Sequence, residues 1–558
     1  MADSLCTHEN LQNFTQFGCQ DECCFAQKFC GDSMEVINFL AFYTCSFKSN
    51  IFLLLLLIIA ATWVTFHFLG TTCENYLAPA LSVLAEKFRF SEALAGVTLV
   101  ALANGAPDII TAFAAGGSSS DTGIYTALGA IFGANLFTTT IILAGCIVAA
   151  SGLKSEAFGT TRDLVFFIIA SLFVLSLGFS RQITFPGAIG YFSVYGIFLI
   201  FVLFGEYKIR KKEREAVQRQ SDVFASTLVN FGDQGEDEEI NMLNYLKENH
   251  YFQMDECGES PLTVQKFNAK NPGKLKWIYL RTKHMLHVKY LRQKKWSDRT
   301  VFEKVLFIYE FPIDFIRDFS IPCVDDSRWN RRIAPFNPFF GSLVIIWQFD
   351  LFRYFNDLPG LWVLLIIFCT GFGLYIWKIS HTHRMPDSLA LVFSIIAFVV
   401  SVLWVNLMAS IFQDVLFMVQ IISGLPSAYL GLTLLAWGNS VSDFFVDFSL
   451  SRQGYAQMAV SGVFAGQLFN LLVGFGGTLV RATMREGSIK FDLLDGSAIN
   501  DLNLGIIAFA LVSFIFQLVY VWMRKFSFGK RYARFVVGYY MLFFVFVSVY
   551  SLSQALQG

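Results

Sequence analysis

Two stretches of this 558-residue chain place an amide and a carboxylate inside otherwise apolar sequence. The first is GVTLVALANGAPD, from Gly96 to Asp108, and the second is GLTLLAWGNSVSD, from Gly431 to Asp443. Aligned without gaps, they agree at Gly96/Gly431, Thr98/Thr433, Leu99/Leu434, Ala101/Ala436, Asn104/Asn439 and Asp108/Asp443. The amide and the acid are four residues apart, so in a helix they share one face. This repeated pair predicts two half-sites that meet to bind a cation.

The composition places these stretches in a membrane. The chain is 55% hydrophobic and 15% charged, whereas a soluble domain is about 25% charged. Apolar runs of about 20 residues recur, and each is long enough to cross a hydrocarbon core of roughly 30 Å. We therefore expect an all-α multi-pass protein embedded in the lipid bilayer. The net charge of −1 carries no information about partners, and we expect no nucleic acid and no bound cofactor.

The amino-terminal segment, residues 1–50, differs from the rest. It holds a glycosylation sequon at Asn13 and six of the eleven cysteines: Cys6, Cys19, Cys23, Cys24, Cys30 and Cys45. Clustered cysteines beside a sequon favour an oxidising, extracytoplasmic compartment. A metal site is the rival interpretation, but His8 is the one histidine nearby. Disulfides are therefore favoured, although their pairing cannot be read from the sequence.

The remaining chain divides into four parts. Residues 51–204 hold five predicted spans, and residues 205–337 form a hydrophilic loop with blocks of charge. Residues 338–379 are an additional hydrophobic hairpin, and residues 388–558 hold five more spans, which makes about twelve transmembrane helices in all. Within the loop, residues 301–319 are apolar and aromatic with interspersed charge, which suggests a helix at the membrane face.

The distribution of Lys and Arg predicts the orientation. With the amino terminus outside, the loops around Lys87, Lys154 and Lys378 and the hydrophilic loop lie inside. The helices of Asp108 and Asp443 then cross in opposite senses, so the two five-span repeats are inverted. Inverted repeats are the architecture in which secondary transporters place their site near the membrane midplane.

The polar residues of these stretches indicate a hard cation. Pro107 leaves an upstream carbonyl without its helical donor, and Ser442 stands at the equivalent position of the second repeat. There, the segment from Gly438 to Ser440 must supply either an irregular backbone or polar ligands. Carboxylate, amide, hydroxyl and carbonyl oxygens suit Ca²⁺ better than a soft transition metal. Asp447, one turn beyond Asp443, is a further candidate acid.

Each repeat also has a partner helix with small and polar residues. Gly133 to Thr138 in the first repeat matches Ala465 to Asn470 in the second. Asn135, Thr138 and Asn470 could complete the coordination, although such residues also form interhelical hydrogen bonds. Glycines such as Gly466 allow close helix packing.

The paired stretches resemble the alpha repeats of the cation/calcium exchanger superfamily. Asn-Gly-Ala-Pro-Asp108 and Gly-Asn-Ser-x-x-Asp443 are similar to the branch of the mitochondrial sodium/lithium/calcium exchanger and the plant cation/calcium exchangers. The cysteine-bearing amino terminus and the segment Phe319 to Asp325 are similar to that branch too. The resemblance implies an ion site formed by eight residues: Asn104, Pro107, Asp108, Asn439, Ser440, Asp443, Gly466 and Asn470.

The resemblance further implies Ca²⁺ countertransport against a monovalent cation by alternating access. Na⁺, with Li⁺ as a further substrate, is the expected counter-ion, and proton- or K⁺-coupled exchange is the alternative. A Ca²⁺-permeable channel fits inverted repeats less well, and the absence of HExxH and GxSxG patterns argues against an enzyme. The resemblance implies the mitochondrial inner membrane, whereas the sequon favours the plasma membrane or endomembranes.

Overall fold

A computed structural model describes residues 6–31, 34, 36–47, 50–105, 121–231, 300–324, 329, 331–349, 351–380, 385–424, 433, 436–494 and 496–557. The protein is an all-α multi-pass membrane protein. Within these residues, nine helices are long and apolar enough to cross a bilayer. The predicted count of about twelve spans and the four-part division stay predictions.

The amino-terminal cap, residues 6–47, consists of three short helices: α1 (His8–Gln12), α2 (Glu22–Phe29) and α3 (Phe39–Phe47). Asp21 begins α2, because its side chain accepts a hydrogen bond from the Cys24 N–H at 2.8 Å and so satisfies a free helix-terminal donor. Disulfides join Cys6 to Cys30 and Cys23 to Cys45. The structure thus agrees with the disulfide interpretation and supplies the pairing.

Five helices of the first repeat lie within the described residues. They are α4 (Ile51–Lys87), α5 (Glu92–Gly105), α6 (Asp121–Phe137, Thr138–Ile142 and Leu143–Ala149), α7 (Ala157–Phe179) and α8 (Phe185–Phe231). Asn50 begins α4 by accepting the Phe52 N–H at 3.0 Å. Ser91 begins α5 by accepting the Leu94 N–H at 3.1 Å. The continuous helix α8 runs past the apolar span into the charged sequence of the predicted loop.

Between the repeats, residues 300–380 as far as they are described contain four α-helices: α9 (Val301–Ser320), α10 (Asn337–Gln348), α11 (Phe352–Asp357) and α12 (Gly360–Ile379). The predicted amphipathic helix is therefore present as α9. Its buried Arg317 donates to the Phe68 carbonyl oxygen at 3.1 Å and to Thr72 Oγ1 at 2.7 Å. These bonds fasten α9 to the first span.

The part of the second repeat that the structure describes also contains five helices. They are α13 (Asp387–Ser423), α14 (Ala436–Gln453), α15 (Ala456–Glu486), α16 (Ala498–Met523) and α17 (Lys530–Gln557). The core lies where helices of the two repeats meet. There α5 packs against α15, and α14 packs against α6, α13 and α15. The described parts of the two repeated stretches, residues 96–105 and 436–443, thus pack against helices of both repeats.

Two small antiparallel sheets reveal how the repeats are related. Strand β1 (Leu153–Lys154) precedes α7, and β2 (Gln182–Thr184) follows it, so they lie at opposite ends of α7. Strand β3 (Ser488–Lys490) precedes α16, and β4 (Ser527–Phe528) follows it.

The pairing of these strands crosses over, because β1 pairs with β4 and β2 pairs with β3. If the repeats ran in the same sense, the loop before α7 would lie at the same end as the loop before α16. It lies instead beside the loop after α16. The repeats are therefore inverted, as their Lys and Arg distribution predicts.

Candidate functional site

The predicted ligands lie on four helices. Asn104 is on α5; Asn135 and Thr138 are on α6; Asn439, Ser440, Asp443 and Asp447 are on α14; Gly466 and Asn470 are on α15. Pro107 and Asp108 lie outside the described residues. The structure therefore describes the candidate residues of the second half-site and Asn104 of the first.

Close helix packing brings Asn104 of the first repeat against the second repeat. A Cβ atom added at Gly466 would lie 3.6 Å from the Asn104 Cβ, which is ordinary contact. A Cβ added at Gly105 would lie 2.6 Å from Asn470 Oδ1. Helix α5 thus contacts α15 at both of the predicted residues on that helix, and the contact of Gly105 with Asn470 leaves no room for a Cβ atom.

Two acids of α14 are buried beside this contact. Asp443 is 1% exposed and Asp447 is 0% exposed, and they follow one another by one helical turn. The Asn104 amide donates to Asp447 Oδ2 at 3.3 Å, across the repeat interface. The Gln467 amide donates to Asp443 Oδ2 at 2.7 Å. Each acid therefore accepts one hydrogen bond from an amide on another helix.

Several buried oxygens of the candidate ligands have no hydrogen-bond partner within the described part of the chain. They are Asn104 Oδ1, Asn135 Oδ1, Thr138 Oγ1, Ser440 Oγ and Asp447 Oδ1. Buried polar atoms are normally satisfied, and each exception calls for an explanation such as an ion. Carboxylate, amide and hydroxyl oxygens are the ligands that Ca²⁺ prefers. Among the described residues, no group of three or more His, Cys, Asp or Glu side chains offers a competing metal site.

The helix geometry changes at equivalent positions of the two partner helices. A π-helical segment begins at Thr138 in α6, and another begins at Asn470 in α15. These two residues are also equivalent in the alignment of the partner helices. Single π-helical turns within α-helices occur frequently at functional sites. The symmetry of the sequence is therefore repeated in the local backbone.

One expectation for the second repeat finds no support. The segment from Gly438 to Ser440 is expected to supply either an irregular backbone or polar ligands, and the irregular backbone is not found because α14 is regular from Ala436 to Gln453. Without a proline, every residue here keeps its N–H donor, and Ser442 Oγ turns back to the Asn439 carbonyl at 3.4 Å. The second half-site therefore offers side chains as ligands.

Two glutamines that the sequence pattern does not single out contact the candidate ligands. Gln467 stands in the partner stretch at the position equivalent to Asn135, and it contacts Asp443. Gln413, on α13, donates to Asn439 Oδ1 at 3.0 Å. Both residues place an amide inside an apolar span. Burying such an amide costs free energy unless it has a hydrogen-bond partner, and this pattern could have identified them.

Comparisons with known proteins extend this description. The model of the family described as sodium/calcium exchanger protein matches residues 50–204 and 393–552. The chain is 28% identical to the mitochondrial sodium/calcium exchanger protein of Homo sapiens over 528 residues, covering 92% of this chain and 85% of that protein. It is 25% identical to cation/calcium exchanger 5 of Arabidopsis thaliana over 533 residues, covering 93% of this chain and 86% of that protein.

A solved structure is similar as well. The sodium-calcium exchanger NCX_Mj, soaked with Na⁺ in the absence of Ca²⁺, aligns with a TM-score of 0.43 at 9% sequence identity. The alignment covers 87% of this chain and 97% of that structure.

Proposed function

The chain belongs to the sodium/calcium exchanger family, and from that premise we propose that it is a secondary active antiporter that exchanges Ca²⁺ for Na⁺ by alternating access. A family model that covers both repeats makes it a cation/calcium exchanger and not an enzyme. Beyond family membership, we propose Na⁺ as the counter-ion, alternating access as the transport mechanism, and a set of residues as ligands.

One observation carries the proposal: two buried acids on adjacent turns of α14 lie beside oxygens that lack hydrogen-bond partners in the described structure. Asp443 and Asp447 offer carboxylate oxygens to one Ca²⁺ ion, and the amides of Asn104 and Gln467 hold one oxygen of each acid. Ser440 of α14 and Asn470 of α15 offer further oxygens. Pro107 and Asp108, which follow α5 in the sequence, remain proposed ligands on sequence grounds.

The same charges provide a reason for coupling. A carboxylate that loses its cation in a low-dielectric site is strongly disfavoured. When Ca²⁺ leaves, the site must therefore take up other positive charge before it can close again. Na⁺ is a hard cation that uses the same oxygen ligands, so its binding completes the exchange cycle. Inverted repeats with a site at their interface support alternating exposure to the two sides.

The experiment is Ca²⁺ efflux from proteoliposomes that contain the purified protein. An inward Na⁺ gradient, an inward Li⁺ gradient and a matched proton gradient are compared. We expect efflux with Na⁺, and Li⁺ is tested as a second driving ion. Efflux driven by protons alone would show that H⁺ is the counter-ion instead of Na⁺. Ion currents far above the turnover rates of carriers would indicate a channel.

A pair of variants connects this transport to the site. Asp443→Asn removes one of the buried charges and retains the size of the side chain, so we expect coupled efflux to fall to the level of empty liposomes. Asp501→Asn, at the exposed start of α16, is the matched control and should transport as the unmodified protein does. Normal efflux by a correctly folded Asp443→Asn protein would remove α14 from the ion site.

We also propose the mitochondrial inner membrane as the location, because similar proteins from several vertebrates carry the word mitochondrial in their names. Asn13 and Thr15 of the sequon are exposed, so a glycosyltransferase could reach them. The proposal therefore predicts that Asn13→Gln does not change the electrophoretic mobility of the protein from cells. A shift that matches glycosidase treatment would place the protein in the secretory route.

A further inference from the structure

The amino-terminal cap closes over the ends of the first spans of both repeats. Fully buried Phe25 and Leu40 of the cap belong to one apolar cluster with Leu54 of α4 and Met418 of α13. The ring of His8 adds a polar contact, because its Nδ1 lies 2.7 Å from the Ile421 carbonyl oxygen near the end of α13. The cap is joined to α4 by the chain itself and to α13 by packing. It therefore links the two repeats at one end of the molecule.

A buried acid fixes the cap to α13. Asp414 is 3% exposed, and its Oδ2 accepts the backbone N–H groups of Val36 and Ile37, both at 2.9 Å. A buried carboxylate is costly unless hydrogen bonds compensate it, and the cap donates two. Val36 and Ile37 lie between Cys30 and Cys45, and each of these cysteines is held by a disulfide. The disulfides thus hold both ends of the segment that binds Asp414.

The preceding residue of α13 contacts the candidate ion site. Gln413 donates through Nε2 to Asn439 Oδ1 at 3.0 Å. A Cβ atom added at Gly438 would lie 3.2 Å from the Gln413 Cγ, so α14 packs closely against this side chain. Consecutive residues of a helix point about 100° apart, so Asp414 meets the cap while Gln413 meets α14. One turn of α13 therefore connects the cap to a predicted ion ligand.

We propose that the cap is a redox-sensitive element that tunes cation affinity, with Gln413 as the positioning residue through which it orients Asn439. The affinity measurement for this inference rests on the proposed exchange function. The contacts of Asp414 with the cap and of Gln413 with Asn439 do not depend on that function. In the oxidised cap, Val36 and Ile37 hold Asp414, and α13 is fixed in the rotation that brings Gln413 to Asn439. Without its disulfides, the cap no longer keeps Val36 and Ile37 in position to bind Asp414.

The redox step uses a dithiol reductant, which the experiment supplies. A thiolate of the reductant attacks one sulfur of each cap disulfide, and the second thiol of the reductant then releases the protein thiol. Each Sγ–Sγ bond takes up two electrons and two protons and becomes two cysteine thiols, while the reductant becomes a disulfide. Within the described residues, Cys19, Cys24, Cys73, Cys146 and Cys369 are already thiols, so the reductant leaves them unchanged and acts on the two cap bonds.

The first measurement is Ca²⁺ binding to the full-length purified protein. We expect reduction to raise the Kd for Ca²⁺ about three- to tenfold, the range that the loss of one or two hydrogen bonds gives. Gln413→Met, which keeps the side-chain length and removes the amide, should raise the Kd similarly. Reduction of the Gln413→Met protein should then add little. Independent, multiplicative effects of reduction and of Gln413→Met would overturn the proposal.

Substitutions of Asp414 test the connection without a reductant. Asp414→Ala leaves two cap N–H groups without their acceptor and should raise the Kd, whereas Asp414→Asn retains an acceptor oxygen and should restore most of the affinity. Asp501→Ala, an exposed acid at the start of α16, is the control and should bind Ca²⁺ normally. Equal behaviour of Asp414→Ala and the control would overturn the proposal.

Hydrogen–deuterium exchange gives a readout that needs no transported ion. Reduction and Asp414→Ala should each increase amide exchange in α13 around Gln413 and in α14 around Asn439, and Asp501→Ala should not. Unchanged exchange in a protein whose cap thiols titrate as fully reduced would overturn the inference, whether or not Ca²⁺ binds. Conversely, a protein that fails to bind Ca²⁺ but shows the expected exchange would contradict the proposed function and support this inference.

Discussion

The two repeats contribute different polar side chains to the same interface. The second repeat carries Asp447 one turn after Asp443, and the equivalent position of the first repeat is Ala112. It also carries Gln467 where the first repeat has Asn135. Asp447 accepts from Asn104 of the opposite repeat, so the additional acid is used between the repeats. Inverted repeats can thus share a backbone arrangement while one of them supplies more of the charge.

The largest expected effect comes from giving the second repeat the residue of the first. Asp447→Ala removes a buried charge and the partner of the Asn104 amide, so we expect the Kd for Ca²⁺ to rise by about tenfold or more. Asp447→Asn retains an acceptor for Asn104 and removes only the charge. Calcium titrations of both variants separate the two roles. If Asp447→Ala binds as the unmodified protein does, the additional acid has no part in the site.

The next effect concerns the packing that brings the repeats together. A Cβ atom at Gly96 would lie 2.3 Å from the backbone carbonyl oxygen of Met458, and backbone cannot move aside. We therefore expect Gly96→Ala to lower the free energy of unfolding by about 1–3 kcal/mol. Gly466→Ala introduces the residue that the first repeat has at Ala134, with contacts of 3.6 Å or more, and should be nearly neutral. Thermal unfolding in one detergent compares them, and equal midpoints would contradict the observed helix contact.

A smaller effect should follow from shortening the amide beside Asp443. Gln467→Asn gives the second repeat the side chain found at Asn135, and it is one methylene too short for the 2.7 Å hydrogen bond. We expect the KM for Ca²⁺ to rise about three- to tenfold with a smaller change in kcat. Gln457→Asn, on the same helix and bonded to the Glu156 N–H at 3.1 Å, is a control away from the acids. Identical transport by both variants would show that Asp443 does not need Gln467.

The sequence predicts the class of the fold well, because its signals are local. Apolar runs of sufficient length require membrane helices, and matching polar residues at Asn104 and Asn439 reveal the repeat. The Lys and Arg distribution predicts the inversion that the crossed pairing of β1 with β4 displays. Each of these properties depends on residue type and spacing, which a single chain contains.

The contacts across the repeats could not be predicted in the same way. Gln413 and Gln467 are single amides in apolar spans, and the sequence does not tell which helix each one faces. The disulfide pairing of Cys6 with Cys30 is one of several connectivities that six cysteines allow. The regular backbone of α14 depends on what surrounds Asn439, since the missing proline permits a regular helix without requiring it. These properties depend on tertiary packing.

The smallest expected effect compares the residues that begin the fourth helix of each repeat. Ser497 begins α16 by accepting the Asn500 N–H at 3.4 Å, whereas Glu156 precedes α7 without a side-chain cap. Burial raises the pKa of the Glu156 carboxyl above its ordinary value of 4.5, Arg162 lowers it in part, and the nearby Asp163 and Glu206 raise it further. The folded protein therefore holds this proton more tightly than the unfolded chain does.

It follows that the contribution of Glu156 to stability is present below its ordinary pKa and is lost as the pH rises through the raised value. Glu156→Gln cannot ionise, so the stability of the unmodified protein relative to this variant should decrease as the pH rises through that window. Thermal midpoints of both proteins at several pH values measure the difference. Glu86→Gln, at the exposed end of α4, gives the baseline for the loss of one carboxyl group. A difference that grows in favour of the unmodified protein at higher pH would show that Glu156 is stabilised as a carboxylate, as a residue that caps a helix through its charge would be.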